Sequence, residues 1–538
     1  MFRFAVALAV IFALVKSTFA LMEKPYDFIS YRIQSEFRHD TLDGDTRERQ
    51  FFREKVTIFF SQESKLHCAY VYLDHEDSRR FTWSLVLRDI SPVASLFVGY
   101  YYVNFGKGLL IGRKRILNPD TFAQEKRRPG DKSFSPCMSG NPFFAFHGAA
   151  LSYYERFEHV NISMNCFYSS KKRFIDDLSY DQGSTTRRIN TIEYETERNS
   201  RYSQPVEVIT HGSECILHVI DLIHVGMHYV YTDISSFSGK KISWESRKDG
   251  ENGMSNLIGY GLHIQYRDDY TEIFIEKDIT VRDNNRENRY GVRNTIGSGM
   301  IYGLIFSNSF MRTALIMKNT EGGYNAPYGS TIGVDCPEKM ILFDMTTKPF
   351  SRVKLGSSVS YERKKSIDQR VYNRPVMRKE RIFLAYSNTV IRKLMLSFRR
   401  VEERREFVQK RFQVRSGSAI GFWKYGSFLF STTYQIGNHL GASKLYTAGI
   451  QIQAAPFFKS VAYYGRAEVS EDNEIYAVLS PMRSSNVPGI FLRQHSQIIV
   501  VKAECKYRSF LVSMRTFYQF GSQGVIHRRF EIYGSGNF

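Results

Sequence analysis

Several things are scarce in this chain, and each scarcity removes a class of protein. After residue 20 no apolar run approaches the roughly 18 uncharged residues that a spanning helix needs, so a helical membrane protein is excluded. Cysteine is sparse: Cys68, Cys137, Cys166, Cys215, Cys336 and Cys505 are scattered, with no CxxC or similar spacing, which argues against thiolate metal ligation. Export would permit disulfides, but connectivity is not written in the sequence, and isolated thiols fit equally well. No HExxH or GxSxG occurs, and the charged clusters "HED" (His75 to Asp77) and "YERFEH" (Tyr154 to His159) read as turn residues rather than as catalytic groups. No catalytic residue, metal ligand or cofactor is therefore expected, although a hydrolase assembled from distant strands would leave no local motif.

The first twenty residues have their own pattern. "MFR" is a short basic start, Phe4 to Val15 an apolar run, and "STFA" a small-residue ending, which together form a secretory signal peptide with cleavage after Ala20. No Cys follows that point, which argues against a lipid anchor.

What the chain has in plenty is aromatic residues and positive charge. Phe, Trp and Tyr make up 15%, with 42 Phe and 34 Tyr against 14 Pro, yet the mean hydropathy is −0.33. That pairing suits a barrel with an apolar outside, a polar inside and aromatic rims. The formal charge of +20 favours acidic ligands, lipid head groups or nucleic acid as partners, on the surface or in a lumen.

Alternation by two runs the length of the chain. "LIGYGLHIQYR" sets Ile258, Tyr260, Leu262, Ile264 and Tyr266 against Gly259, Gly261, His263, Gln265 and Arg267. "IVVKAECKYR" sets Ile499, Val501, Ala503, Cys505 and Tyr507 against Lys502, Glu504, Lys506 and Arg508. These runs keep their period for about 9–11 residues, the length of a tilted membrane strand, whereas soluble strands cluster at about 5–6. Some 24 such runs follow one another, from 25–38 to 509–520 and including 474–480, with each strand's charges kept to one side. The expected fold is all-β: residues 21–538 as a single large antiparallel transmembrane β-barrel of about 24 strands with inward-folded loops. The ending "RRFEIYGSGNF" makes a poor last strand because of Gly534 and Gly536, but its terminal aromatic Phe538 suits a signal for barrel-assembly machinery.

Longer polar stretches at 106–142, 172–206, 233–253, 282–293, 364–378 and 481–495 interrupt the pattern, and loops above about 15 residues tend to be functional. The segments 106–142 and 172–206 are candidates to fill the lumen or cover its mouth. In "FVGYYYVNFGKGLLIGRKRI" (97–116) Lys107 is followed by Gly108 rather than by a hydroxyl, and Gly112 falls one residue too late for G-x-G-x-x-G, so neither phosphate-loop pattern is met. Read as structure, the stretch is a wall strand that bends inward: Gly99, Gly106, Gly108 and Gly112 form a hinge, and Lys107, Arg113, Lys114 and Arg115 carry charge into a constriction. Arg267, Lys502, Lys506, Arg508 and Arg515 are candidate lumen charges.

The run Gly99-Tyr100-Tyr101-Tyr102-Val103-Asn104-Phe105-Gly106-Lys107-Gly108-Leu109 resembles the "GDY-x-hydrophobic-(N/Q)-FG-Q-GL" signature of large bacterial outer-membrane barrels that often carry a helix-hairpin-helix, DNA-uptake-like region. "FHGAA" (Phe146 to Ala150) and "CFYSSKKRFIDD" (Cys166 to Asp177) resemble two further marks of that family, in the same order. Tyr100, Lys107 and His147 stand where the family has Asp, Gln and Arg. The helix-hairpin-helix part is absent, so the resemblance implies an outer-membrane address and a barrel, without support for nucleic acid as a partner. The expected function is a non-enzymatic outer-membrane channel or transporter-like barrel with a preference for small anionic solutes. The competing readings are a secreted or periplasmic all-β binding protein and an outer-membrane hydrolase.

Overall fold

The computed structural model contains 28 strands among its described residues. They are β1 Ser30–Leu42, β2 Arg49–Phe59, β3 Lys65–Leu73, β4 Ser78–Ser91, β5 Ala94–Val103, β6 Phe134–Pro136, β7 Phe146–Arg156, β8 Val160–Asp176, β9 Ile192–Glu193 and β10 Ser203–Val219. There follow β11 Ile223–Ser236, β12 Asn256–Arg267, β13 Thr271–Asp283, β14 Asn294–Ser307, β15 Met311–Thr320, β16 Glu338–Phe350, β17 Val353–Lys364, β18 Val376–Tyr386 and β19 Ile391–Arg404. The last are β20 Val408–Trp423, β21 Gly426–Ile436, β22 Ala442–Ala455, β23 Phe458–Glu468, β24 Ile475–Ala477, β25 Ile490–Leu492, β26 Ser496–Tyr507, β27 Phe510–Gly521 and β28 Gly524–Asn537. Besides these strands, residues 64, 104–112, 133, 137, 145, 157–159, 220–222, 268–270, 308–310, 321, 324, 351–352, 387–388, 457, 469 and 495 are described. The signal-peptide reading of residues 1–20 and the terminal aromatic Phe538 lie outside them, as does Cys336.

Consecutive strands pair antiparallel around a ring that closes where β1 meets β28, from Arg32 opposite Asn537 to Leu42 opposite His527. The main sheet has 26 strands; β6 and β9 are short additions to it, which leaves 24 in the wall. The count agrees with the sequence reading, but its membership differs. The described part of the run 474–480 is β24, which pairs with β25 in a two-stranded sheet outside the ring. Its place is taken by β28, where Gly534 and Gly536 are each paired on both sides.

Side-chain sorting follows the alternation. On β12, Tyr260, Leu262, Ile264 and Tyr266 are exposed on the outer surface, while Gly259 and His263 are buried inside. On β26, Ile499 and Val501 are exposed and Ile498 and Val500 buried. Large exposed apolar side chains continue outward from β7 round to β28. A soluble binding protein would turn these residues onto a core; here they face away from it, as lipid-facing residues do. Wall strands run from 9 residues in β3 to 17 in β8 and β10, each long enough to cross a bilayer when tilted. The sorting of charge is less strict than the sequence suggests: Lys277 is exposed on the outer face between Ile275 and Ile279, and Arg378 and Arg466 are exposed outward near their strand ends. Such long side chains can lay their stems on apolar surface and carry the charge toward the head groups.

The two ends of the ring are unlike. At one end the turns are tight, for example 157–159, 220–222, 268–270 and 308–310. The connections 104–145, 177–202, 237–255, 321–337 and 469–495 all leave from the other end. The polar stretch 172–206 is shorter than the sequence suggests, because β8 continues to Asp176 and β10 begins at Ser203.

Candidate functional site

The wall is interrupted at Gly99. The β4–β5 ladder stops where Gly99 faces Ser84, at a φ of +90° that only glycine adopts without strain, and a Cβ there would lie 2.5 Å from the Trp83 carbonyl oxygen. Beyond it Tyr101, Tyr102 and Val103 are buried in succession, so neither face of the strand looks outward. Tyr101 still pairs with β7 on one edge, and β6 takes up the edge that β4 has released. The Asn104 amide donates to Ser133 O (2.8 Å) and the Cys137 amide to Tyr100 O (3.0 Å), so 100–104 and 133–137 run side by side as they leave the wall. The Tyr101 hydroxyl lies 2.8 Å from Tyr168 O and 3.0 Å from Ala149 O, which ties this pair to the β7–β8 ladder.

Inside the ring the chain turns back on itself. Gly106 (φ +52°) and Gly108 (φ +80°) occupy left-handed conformations, the Gly108 amide donates to Phe105 O (2.9 Å), and the Phe105 amide donates to Ile111 O (3.1 Å). This loop has the exposed amides of a phosphate cradle, but wall carboxylates already fill it. Gly106 N–H donates to Glu214 Oε1 (2.9 Å), while Lys107 N–H and Leu109 N–H (3.0 Å) donate to the two oxygens of Glu276. The Lys107 ammonium reaches Glu272 (2.5 Å) and stands 4.7 Å from the centre of the Phe274 ring. Phe105, Leu109, Leu110 and Ile111 join Phe134, Phe167, Phe274, Ile301 and Ile316 in one buried apolar cluster, which covers the inner face from β4 to β16.

Beneath the loop lies a group of buried ionisable side chains: Glu214 of β10, His228 of β11, His263 of β12, and Glu276 and Asp278 of β13, each 5% exposed or less. Register brings them together. His228 faces Gly261 and His263 faces Gly226, so each ring occupies space that its cross-strand glycine leaves open. A Cβ at Gly226 would collide with the His263 ring, and one at Gly261 with both His228 and Asp278. His228 Nε2 is 3.3 Å from Asp278 Oδ1. Glu214 Oε2 also accepts from Ser133 Oγ (2.7 Å) and Asn165 Nδ2 (3.1 Å). Both nitrogens of His228, Nδ1 of His263 and Oδ1 of Asp278 are buried without a hydrogen-bond partner. One ligand atom from each of Glu214, His228 and His263, and likewise from each of His228, Glu276 and Asp278, can be chosen so that all lie within 4.8 Å of one another.

The sequence singles out Gly99, Gly106, Lys107, Gly108 and Gly112, and the structure brings all five into this tuck; Gly112 closes it against Gly108, whose Cα a Cβ would meet at 2.7 Å. The inward bend begins at Gly99, seven residues before the Gly106 turn, because Gly99 is where pairing with β4 ends. Arg113, Lys114 and Arg115 lie outside the described residues, as does Arg508. Arg267, Lys502 and Arg515 occupy inward positions; Lys502 faces Arg515 across the ladder and pairs with Glu504 at 2.9 Å. Lys506 has the same register but is exposed beside the tight-turn end. The acidic and histidine cluster was not legible as a site, because its members are spread over four strands. The one local trace is G-x-H at Gly226-Met227-His228 and Gly261-Leu262-His263, and since Gly437-Asn438-His439 has the same pattern it does not single the cluster out.

Two of the departures from the family pattern meet in space. Tyr100 and His147 are register partners whose ring centres lie 4.5 Å apart with the planes tilted by 42°, and Lys171 Nζ is 5.9 Å from the Tyr100 ring centre.

No protein-family model and no curated protein matches the chain. Among solved structures, the siderophore receptor PirA from Pseudomonas aeruginosa aligns over 96% of this chain and 81% of its own, with 6% identity and a TM-score of 0.46. The P pilus usher PapC translocation pore aligns over 95% and 99%, with 8% identity and a TM-score of 0.43. The FrpB iron transporter from Neisseria meningitidis aligns over 96% and 82%, with 8% identity and a TM-score of 0.41. At these identities and scores no family membership, ligand or transport step passes from those proteins to this chain.

Proposed function

We propose that the protein is a channel or transporter-like barrel of the bacterial outer membrane, whose passage is narrowed by the segment tucked in after Gly99. The observation that carries this reading is the closed ring of 24 strands with apolar side chains outward and a loop bound to its inner wall by carboxylates. Tight turns at one end and long connections at the other fit a barrel with its short turns in the periplasm. Lipid is then its permanent partner, and barrel-assembly machinery its partner during insertion. Nothing in this reading calls for catalysis or for nucleic acid.

The finer reading is anion preference. The Lys502–Arg515 pair lies on β26 and β27, half the ring away from β12 and β13, where the acidic cluster sits under the tuck. Glu504 offsets Lys502, and Glu531 is the register partner of Arg515 on β28; any net positive charge left on that arc, in a narrow passage with low-dielectric walls, would favour anions. Planar-bilayer recordings of the wild type and of a variant with 104–137 replaced by a short Gly/Ser linker test both parts. Conductance should rise in the variant, and the reversal potential of the wild type in a salt gradient should report anion selectivity. Unchanged conductance would remove the constriction, and cation selectivity would remove the preference.

A further inference from the structure

We infer that His228, His263 and Glu214 hold one divalent transition-metal ion of the zinc class, which locks the tucked loop to the barrel wall. Three independent features of the cluster converge on this. The first is composition: two imidazoles and a carboxylate are the donor set that such ions take, and their ligand atoms lie within 4.8 Å of one another. The second is lack of satisfaction. Polar atoms buried without a hydrogen-bond partner are costly, yet His228 Nδ1 and His263 Nδ1 have none, and His228 Nε2 and Asp278 Oδ1 make no hydrogen bond beyond their 3.3 Å approach to each other. A cation among them satisfies the imidazoles by coordination and offsets the carboxylates' charge. The third is support around the ligands. Asp278 Oδ1 stands 3.3 Å from His228 Nε2, where a carboxylate orients a metal-bound imidazole, and Glu214 is fixed by Ser133 and Asn165. The opposed glycines Gly226 and Gly261 hold the space in which the two rings lie.

The site also reaches the loop. Glu214, one of the ligands, accepts the Gly106 amide at 2.9 Å, and Glu276, beside His228, accepts those of Lys107 and Leu109. An ion held here fixes the carboxylates that anchor the tuck, so its removal should loosen the constriction. Glu214 rather than Glu276 is assigned as the carboxylate ligand because it is grouped with both imidazoles, whereas Glu276 is grouped with His228 and Asp278 alone.

The test uses the full-length barrel, purified in detergent without a histidine tag. Elemental analysis after size exclusion should find one zinc-class ion per chain. Chelator-stripped protein should take up Co2+ with the absorption bands of an imidazole-ligated ion, and Zn2+ should displace it. The paired variant His228→Gln/His263→Gln should lose the ion and the Co2+ spectrum. A second variant, His218→Gln/His224→Gln, removes the half-exposed histidine pair whose Nδ1 atoms are 3.2 Å apart at the tight-turn end, and should keep both. If the first variant does not fold, the Co2+ spectrum of the stripped wild type still decides. No bound metal and no Co2+ spectrum in folded wild type would overturn the assignment, as would loss of metal in the His218/His224 variant alone.

Discussion

Single residues decide whether the tuck stays in place. An Ala at Gly106 must adopt a φ of +52° with its methyl group against the Glu276 carboxylate. It therefore loosens a loop whose hydrogen bonds to charged groups are worth about 1.5–3 kcal/mol each. Gly106→Ala should lower the urea midpoint of the barrel in vesicles and raise its conductance, whereas the same exchange at Gly534, where a Cβ meets nothing within 4 Å, should change neither. A pH effect is expected in one tight turn. The Asp268 carboxylate accepts from Tyr270 N–H (2.7 Å) and Thr271 N–H (2.6 Å), and those bonds hold it below the usual carboxylate range. A depressed folded-state pKa stabilises the turn above the ordinary Asp value and loses that contribution as pH falls through the lowered one. Asn308 makes the same pair of bonds to Phe310 N–H and Met311 N–H without a titrating group. Amide protection, corrected for intrinsic exchange, should decline at acid pH for Tyr270 and Thr271 and hold for Phe310 and Met311; a parallel decline in both turns would refute the account.

At the scale of the strand, the two faces can be exchanged experimentally. Leu262→Lys, Ile264→Lys and Ile499→Lys each put a charge on the apolar outer face, at a cost of about 2–4 kcal/mol near mid-membrane. Each should reduce the heat-modifiable folded band on gels, while Gln265→Lys, on the inner face of the same β12, should fold normally. This sorting was legible in the sequence because a period of two is a local property and lipid imposes it on strand after strand. Less of the rest was local. The run 474–480 alternates as a wall strand does, but its described residues, Ile475–Ala477, pair with β25. β28 was missed because Gly534 and Gly536 lower strand propensity, whereas ladders on both flanks override it. Nor does the histidine cluster exist until β11 and β12 are in register, since one residue of slip would turn His228 and His263 to the opposite face from the acids of β13.

For the whole molecule, closure is the property to challenge. Deleting 524–537 removes β28 and leaves β1 and β27 with unpaired edges, which lipid cannot hydrogen-bond. That variant should fail to give a folded band or should aggregate. Deleting 475–492 removes β24 and β25, which lie outside the ring, and should leave a folded barrel. Equal failure of both would contradict the membership of the wall described above. The seam also sets a condition on the order of events during assembly. Among the described strands β1 is the first to be synthesised and β28 the last, yet each supplies the other's missing edge. Nearly every other ladder joins near neighbours in sequence and can zip locally; this one spans almost the full length of the chain and is rewarded only after all the others exist. Until then the first strand is an unprotected sticky edge, so the interval between synthesis and closure is when the chain most needs a holdase, and raising the rate of synthesis without one should show up as aggregate rather than as folded protein.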